Sequence, residues 1–547
     1  MSNNRKIVII GGVAGGATAA ARARRADENA SITVIEKGAY VSFANCGLPY
    51  YIAGDIKDRN KLLLQTPTGF LDRYRVDVMI RAEAKEIDVE RKIVHVEREG
   101  KKIEVPYDTL ILSQGGAPFV PPVKGLPASN VFTLRNMDDM DRMNDFIKEK
   151  KPKTAVIAGG GFIGLEMAEA LVHRGLEVTV VEKLPQILPN LDPEFAAMAK
   201  EELEANKVRV INNQALSGVG SDRVELEDGT SIPAEFVLFS AGIRPELELA
   251  KRAGLVIGET GAISVNSRMQ TSNPDIFAVG DMAEITSVIL GKKVRIPLAG
   301  PANRQARIAG SNAAGMRMNY RGSLGTAIVK IFRGSVASTG LSEKAARQAG
   351  LDAASITVHA KNHASYYPGS SDITLKIIYL KSNRKVLGAE AWGREGVDKR
   401  IDVIATALAG NLTMDDLEDL DLAYAPPYSS ANDPINVAAF MALNDQTGFS
   451  PMVSPSEFAS KTSHYKEDFL LDVRDPSEYA SGHLPGSVNI PLNSLRERLS
   501  ELPRDRSIVV YCQVGRRGHL AARILSQNGF RAVNIGGGYQ SLKYEVA

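Results

Sequence analysis

Two thiols stand out first. The 547 residues contain two cysteines, Cys46 and Cys512, and a glycine-bearing turn follows each. Cys46 lies in Ser42-Phe-Ala-Asn-Cys-Gly-Leu-Pro-Tyr50 with no second thiol near it in sequence. A redox cysteine without a partner cannot close an internal disulfide. It must rest as a mixed disulfide, a persulfide or a sulfenic acid. Cys512 ends the apolar run of Val509-Val-Tyr-Cys-Gln-Val-Gly-Arg-Arg517, so a strand is expected to deliver it into a tight loop with a helix starting near Arg517. Backbone N–H groups converging in such a loop lower a thiol's pKa and stabilise the terminal sulfur of a persulfide.

Two glycine loops supply a second chemistry. Lys6-Ile-Val-Ile-Ile-Gly-Gly-Val-Ala-Gly-Gly16 precedes Ile32-Thr-Val-Ile-Glu36, and Thr154-Ala-Val-Ile-Ala-Gly-Gly-Gly-Phe-Ile-Gly164 precedes Val178-Thr-Val-Val-Glu182. Each reads as strand, glycine turn, helix and a second strand ending in an acid, a βαβ unit that holds a pyrophosphate at the helix N-terminus. Gly159, Gly161 and Gly164 have the full G-x-G-x-x-G spacing. In the first loop Gly11, Gly12, Ala14, Gly15 and Gly16 surround Val13, which takes the middle glycine's place. Glu36 and Glu182 are placed to hydrogen-bond an adenosine ribose. An acid suits a free 2′-hydroxyl, which favours NADH over NADPH at the second loop; Lys183 beside it pulls the other way.

The rest of the chain must position these groups. Its length suggests several domains, and 44% apolar with 24% charged residues is the balance of a soluble globular protein. Lys plus Arg number 66 and Asp plus Glu 64, so a net charge of +2 offers no general field for nucleic acid or a membrane surface. No apolar run reaches the ~18 residues of a membrane span, and Met1–Lys6 leads into too short an apolar stretch for a signal peptide. The expected address is the cytoplasm. Two cysteines exclude a disulfide framework and a Cys-rich metal site. From about Ser323 the pattern turns to antiparallel strands and then helices. Asn444–Ser463, with Pro451, Pro455 and many Ser and Thr, reads as a linker before a small α/β domain.

Further segments carry a family resemblance. Tyr107-Asp-Thr-Leu-Ile-Leu-Ser-Gln-Gly-Gly-Ala-Pro118, Ala241-Gly-Ile-Arg-Pro245 and Thr271-Ser-Asn-Pro-Asp-Ile-Phe-Ala-Val-Gly-Asp281 resemble signatures of the FAD- and NAD(P)H-dependent pyridine nucleotide-disulfide oxidoreductases. The Cys46 segment resembles their single-cysteine branch of coenzyme A disulfide reductases, persulfide reductases, NADH oxidases and NADH peroxidases. The resemblance implies FAD at the first loop, with Ser42, Asn45 and Asp281 among its contacts, and a nicotinamide nucleotide at the second. Oxidases and peroxidases of the branch carry a histidine where this chain has Ala14, which argues against oxygen or peroxide as the main substrate. Arg22, Arg25, Arg73, Asn303 and Arg307 correspond to contacts with coenzyme A, expected as substrate or as a bound mixed disulfide. Tyr367 and Tyr424 match two tyrosines that act beside the reactive sulfur of the partner subunit, which implies a homodimer.

Leu471-Asp-Val-Arg-Asp-Pro-Ser-Glu-Tyr479, Gly482-His-Leu-Pro-Gly-Ser-Val-Asn-Ile-Pro491 and the Cys512 loop resemble rhodanese domains. Four residues separate Cys512 from Arg517, one fewer than in related phosphatases, which favours sulfur transfer over phosphate chemistry. The expected architecture is α/β: two Rossmann-like FAD and NAD(P)H domains, an α+β dimerisation domain and a C-terminal α/β rhodanese. The expected ranges are 1–115 plus 246–322 for FAD, 116–245 for NAD(P)H, 323–443 for dimerisation, 444–455 for the linker and 456–547 for the rhodanese. The implied activity is reduction of coenzyme A persulfide, polysulfide or coenzyme A disulfide through Cys46, fed by sulfur carried on Cys512. Two other readings are an NADH oxidase or coenzyme A disulfide reductase with an incidental rhodanese, and a redox-sensing docking scaffold.

Overall fold

The computed structural model describes residues 4–460 and 464–545. The first three residues, residues 461–463 of the expected rhodanese range and the last two residues lie outside the described chain. The chain divides into two compact units, residues 1–187 with 204–325, and residues 188–203 with 326–547.

The first unit contains two parallel five-stranded sheets that share a central arrangement of four strands and differ in where the fifth comes from in the chain. In the first, β1 (Lys6–Ile10) lies between β2 (Ser31–Ile35) and the strand Thr109–Leu112, with Val76–Met79 and Ile276–Ala278 at the edges. In the second, β3 (Thr154–Ala158) lies between β4 (Glu177–Val181) and Phe236–Phe239, with Arg209–Ile211 and Val131–Phe132 outermost. Helix α1 (Ala14–Ala26) joins β1 to β2, and α2 (Phe162–His173) joins β3 to β4. These are the two Rossmann-like domains that the glycine loops imply. Ile7, Ile9, Val156 and Ile157 are fully buried, as strands covered on both faces require. In each sheet the chain turns to opposite sides after the glycine strand, so a crevice opens at that strand's carboxyl end. Helix α3 (Ala299–Ala313) packs along α1, and Gly310 lets the backbones meet: a Cβ there would stand 2.5 Å from the Ala19 carbonyl oxygen.

The second unit has an antiparallel sheet and a parallel one. The antiparallel order is Ala327–Ile331, Gly334–Gly340, Val386–Gly393, β6 (Asp372–Leu380) and β5 (Ala353–Lys361), giving an α+β domain with its helices. The parallel sheet runs Met452–Val453, Ala532–Ile535, β7 (Ile508–Tyr511), Phe469–Asp472 and Val488–Asn489. Helices α4 (Arg516–Gln527) and α5 (Gly538–Leu542) complete this rhodanese-type fold. Among the described residues no helix is long and apolar enough to cross a membrane.

Residues 444–453 differ from the loose connection that their Ser, Thr and Pro content suggests. The Asp445 carboxylate accepts the Met452 N–H at 2.7 Å, and Met452–Val453 forms the edge strand beside Asn534–Ile535. Ser450 meets the His519 ring at 2.8 Å, while Arg523 stacks 3.9 Å over the Phe449 ring and donates to its carbonyl. The polar residues serve as hydrogen-bonding groups of a packed turn.

A buried charge cluster also lies in this unit. Lys376 on β6 donates to Asp192 at 2.9 Å, Glu194 at 2.7 Å and Glu343 at 2.8 Å, with every partner almost fully enclosed. Asp192 also accepts the N–H groups of Glu343 and Lys344, and its own N–H meets both Glu390 oxygens at 3.1 Å. Burial and the neighbouring carboxylates push the Glu390 carboxyl well above the ordinary range.

Candidate active sites

The two glycine loops are built by the same contacts. Gly11 (φ 95°) and Gly159 (φ 118°) occupy the left-handed region, and a Cβ would stand 2.3 Å from the Ser113 carbonyl at one and 2.4 Å from the Ser240 carbonyl at the other. At Gly16 and Gly164 a Cβ would fall 1.7 and 2.1 Å from the carbonyl oxygens of Gly11 and Gly159. At the middle position nothing lies within 4 Å of a Cβ on Gly161, so no packing within the chain demands that glycine. This explains why Val13 is accommodated at the matching place in the first loop.

The acids do more than the sequence suggests. Glu36 accepts the N–H groups of Gly12 and Gly38, both at 2.7 Å. Glu182 accepts those of Gly160 at 2.7 Å and Leu184 at 2.9 Å. Each carboxylate thus clamps its own glycine turn from the end of the next strand. Neither α1 nor α2 has an acid in its own first turn.

The residues around the first loop fit a dinucleotide. Its cradle has room only for glycine at the turns, and the buried Gln114 Oε1 has no hydrogen-bond partner among the described residues. Asp281 sits in the turn Gly280–Met282, whose first N–H is held by Gln305 Oε1 at 2.7 Å. Burial pushes the Asp281 carboxyl up, against the pull of Arg295 and Arg135.

Cys46 lies in a single turn, Asn45–Gly47, ahead of the helix Leu48–Ala53. Ser42, in the left-handed region at φ 49°, donates its N–H to the Gly12 carbonyl at 2.8 Å. That bond ties the thiol segment directly to the first glycine loop. Cys46 is an exposed residue whose partly buried thiol faces Asn45 Oδ1 at 3.7 Å. Nearby, the Tyr50 hydroxyl donates to Glu166 Oε1 at 3.2 Å, from α2. Partial burial pushes the Cys46 thiol up, and the negative charges of Glu166 and Asp281 push it further. Glu166 and Tyr50 were not evident as site residues from the sequence, because only folding brings α2 to the Cys46 turn. Glu166→Gln removes one of those charges. In the reduced, substrate-free enzyme it should lower the pH midpoint for alkylation of Cys46 by iodoacetamide, and an unmoved or raised midpoint would refute the electrostatic assignment.

The arginines divide into two kinds. Arg24 is buried and donates to the carbonyls of Asp27, Glu28, Ala30, Tyr74 and Arg75, so it holds the fold together. Arg22 lies along the seam of α1 and α3, with Nε 2.7 Å from Ser311 Oγ, and Thr18 meets Asn303 Oδ1 at 2.6 Å one turn earlier. Burial and the like charges of Arg307 and Arg25 push the Arg22 guanidinium below its usual range. Crowded cations of this kind suit an anionic ligand. The structure therefore brings Arg22, Arg25, Asn303 and Arg307 to one seam. Arg73 stays exposed on the helix Pro67–Tyr74.

In the second unit Tyr424 meets Tyr366, which the sequence reading did not single out. Its hydroxyl lies 3.3 Å from that of Tyr366, whereas Tyr367 packs edge-on against His363, with ring centroids 5.7 Å apart. All three tyrosines are exposed.

At the second thiol, β7 delivers Cys512 into a loop that turns at Gly515 (φ 93°) into α4. The Cys512 side chain is fully buried. The carbonyls of Cys512 and Gln513 accept the N–H groups of Tyr539 and Gln540, at 2.8 and 2.9 Å, from the first turn of α5. Arg517 is locked to both oxygens of Glu478 at 2.7 Å. Arg474, buried on Asp472 at 2.7 Å, donates to Gln513 Oε1 at 3.2 Å and stacks 4.3 Å over the Tyr539 ring. Arg474 stands inside the Leu471-Asp-Val-Arg474 segment, and only the fold shows that it reaches the sulfur loop.

Comparison with known proteins gives three family matches: pyridine nucleotide-disulphide oxidoreductase over residues 5–306, the dimerisation domain of that family over 326–433, and a rhodanese-like domain over 454–545. An NAD(P)H coenzyme A polysulfide/persulfide reductase of Pyrococcus horikoshii is 35% identical over 438 residues, covering 80% of this chain and 98% of that protein. The crystal structure of reduced Bacillus anthracis CoADR-RHD superposes with a TM-score of 0.96 at 42% identity, covering 100% of this chain and 98% of that one. An NAD-dependent persulfide reductase from A. fulgidus gives 0.91 at 39%, covering 97% and 99%.

Proposed function

From the premise that this chain belongs to the pyridine nucleotide-disulphide oxidoreductase family, we propose how its residues divide the work of an FAD- and NAD(P)H-dependent coenzyme A persulfide, polysulfide or disulfide reductase fused to a rhodanese sulfurtransferase domain. The first glycine loop, Gly11, Gly12, Ala14, Gly15 and Gly16, holds FAD together with Glu36, Ser42, Asn45 and Asp281. The second, Gly159, Gly161 and Gly164, holds the nicotinamide nucleotide, and the carboxylate of Glu182 favours NADH over NADPH. A flavin bound at the first loop supplies two-electron exchange between a nicotinamide and a sulfur.

The observation that carries this reading is the hydrogen bond from Ser42 to Gly12, which fastens the lone-thiol turn to the first dinucleotide loop. Arg22, Arg25 and Arg307, with Asn303 and Arg73, bind the phosphates of coenzyme A. The Cys46 thiolate attacks the persulfide, breaking its S–S bond and forming one to Cys46; two electrons then restore the thiolate. Over one turnover, NADH, one proton and one persulfide give NAD⁺, the thiol and hydrogen sulfide. Tyr424, with Tyr366 or Tyr367, supplies a proton to the leaving sulfur of a partner subunit in a homodimer. Tyr366 has the better claim, because it is the one that meets Tyr424.

Cys512, in its loop with Arg517, carries sulfane sulfur onto coenzyme A for Cys46 to consume. Anaerobic NADH consumption tests this, with sulfide release followed in parallel. Cys512→Ser should leave reduction of supplied coenzyme A persulfide unchanged and abolish the NADH consumption supported by a sulfane donor plus coenzyme A. Equal activity of wild type and variant on the donor would overturn the role of Cys512. A higher kcat/KM on coenzyme A disulfide than on the persulfide, with little sulfide released, would make maintenance of the coenzyme A thiol the main function.

A further inference from the structure

The sulfur loop is held from outside its own domain. Helix α5 has five residues, far too few to be stable alone, so its position is set by what it touches. On one side its Tyr539 and Gln540 N–H groups fix the carbonyls of Cys512 and Gln513. On the other, its side chains meet His359 on β5 of the antiparallel sheet. The His359 Nε2 lies 2.7 Å from Ser541 Oγ, and Nδ1 lies 3.2 Å from Gln540 Nε2 and 2.8 Å from Thr374 Oγ1.

Both ring nitrogens are thus engaged. Burial lowers the ring's pKa to about 4, which keeps the imidazole neutral at physiological pH. The contact is close along its whole length. Gly537 (φ 70°) passes with its Cβ position 3.5 Å from Thr357 on the same strand, and at Gly538 a Cβ would stand 2.3 Å from the Cys512 carbonyl oxygen.

We propose that His359, on the dimerisation sheet, is a positioning residue of the sulfurtransferase site, acting through Gln540, Ser541 and α5 on the backbone of the Cys512 loop. The inference rests on the reading of Cys512 as the sulfur carrier. In that reaction the Cys512 thiolate takes the outer sulfur of thiosulfate and releases sulfite. Cyanide then removes that sulfur as thiocyanate and returns the thiolate. The loop must be held for both transfers, whereas donor capture at the mouth does not involve His359. Loss of the ring should therefore lower kcat and leave KM for the donor in place.

The test measures sulfane transfer to cyanide in the full-length holoenzyme, from thiosulfate or glutathione persulfide, whichever wild type uses faster. NADH-dependent reduction of supplied coenzyme A persulfide is measured alongside. His359→Ala and Ser541→Ala should each lower kcat for transfer about tenfold with KM unchanged, and the double variant should fall no further, as two ends of one contact require. His359→Gln, which can still reach Ser541, should recover most of the loss, and reduction of supplied persulfide should stay at the wild-type rate in all four. Wild-type transfer in His359→Ala, an additive double variant, or a parallel fall in reduction would overturn the proposal. If His359→Ala fails to fold, Ser541→Ala and His359→Gln still decide it. Cys512→Ser, run in parallel, separates the premises: retained transfer there would refute Cys512 as the carrier and leave His359 with nothing to position.

Discussion

Cys46→Ser should lower kcat for NADH-dependent reduction of coenzyme A persulfide by roughly 10³-fold or more, the scale of losing a covalent nucleophile. Nothing in the chain can stand in for it. The only other thiol, Cys512, is buried in a separate loop, and none of the contacts around Cys46 offers a second sulfur. Serine is close to isosteric, and the contacts the Cys46 side chain makes, a long one to Asn45 and one to its own backbone, are ones a hydroxyl can keep, so the fold and the flavin content should survive. The decisive comparison is anaerobic steady-state turnover of wild type and variant at matched flavin occupancy. Persulfide reduction persisting within tenfold of wild type would remove Cys46 from the chemistry. Sulfane transfer to cyanide should be unchanged in the same variant, because the Cys512 loop owes nothing to Cys46.

Lys376→Ala carries the largest expected loss of stability. The lysine makes ion pairs with Asp192, Glu194 and Glu343 together, with Glu390 beside them, while Arg347 reaches Glu343 from the exposed side. Removing one member of a buried ionic group leaves its partners uncompensated, at a cost of about 3–5 kcal/mol. The loss should also depend on pH. Without the lysine the carboxyls are pushed up in the folded state, so folding binds protons more tightly than unfolding does. The variant should then be relatively better off at pH 5 and lose most above pH 7. Glu545 adds to the trend: burial and the charges of Glu194, Glu343 and Asp192 push it up to about 7, so the stability it contributes is present below about pH 4.5 and lost as pH rises through 7. Chemical denaturation of wild type and variant at the two pH values reads this directly. A loss under 1 kcal/mol at pH 7.5 would contradict the account.

What the sequence reveals depends on how locally each feature is encoded. A pyrophosphate turn must place its glycines within a few residues, so both loops and the paired Rossmann-like sheets were legible, and the isolated thiols were equally plain. The Lys376 cluster was not, because its acids come from positions 192, 194, 343 and 390 and meet only in the folded chain. Tyr366 and Tyr367 are neighbours, and which of them meets Tyr424 depends on a turn that periodicity does not describe. Among Arg22, Arg24 and Arg25 the helical repeat separates Arg24 from the other two, and the five carbonyls waiting for it come partly from a distant segment. The polar stretch after Asn444 misled for a related reason: composition counts hydrogen-bonding groups but does not show whether water or protein satisfies them.

The difference at the middle of the two glycine loops bears on residence time. Under the proposed assignment, with FAD at the first loop and the nicotinamide nucleotide at the second, the first ligand would stay through many turnovers while the other would depart in each. Val13 puts an apolar side chain at the centre of the first loop, whereas at Gly161 nothing of the chain lies within 4 Å of where a side chain would begin. The acids have already folded both turns, so neither arrival nor departure has to wait for a loop to order itself. One duplicated turn thus stands ready in two places, and its two copies differ at the centre by a single side chain.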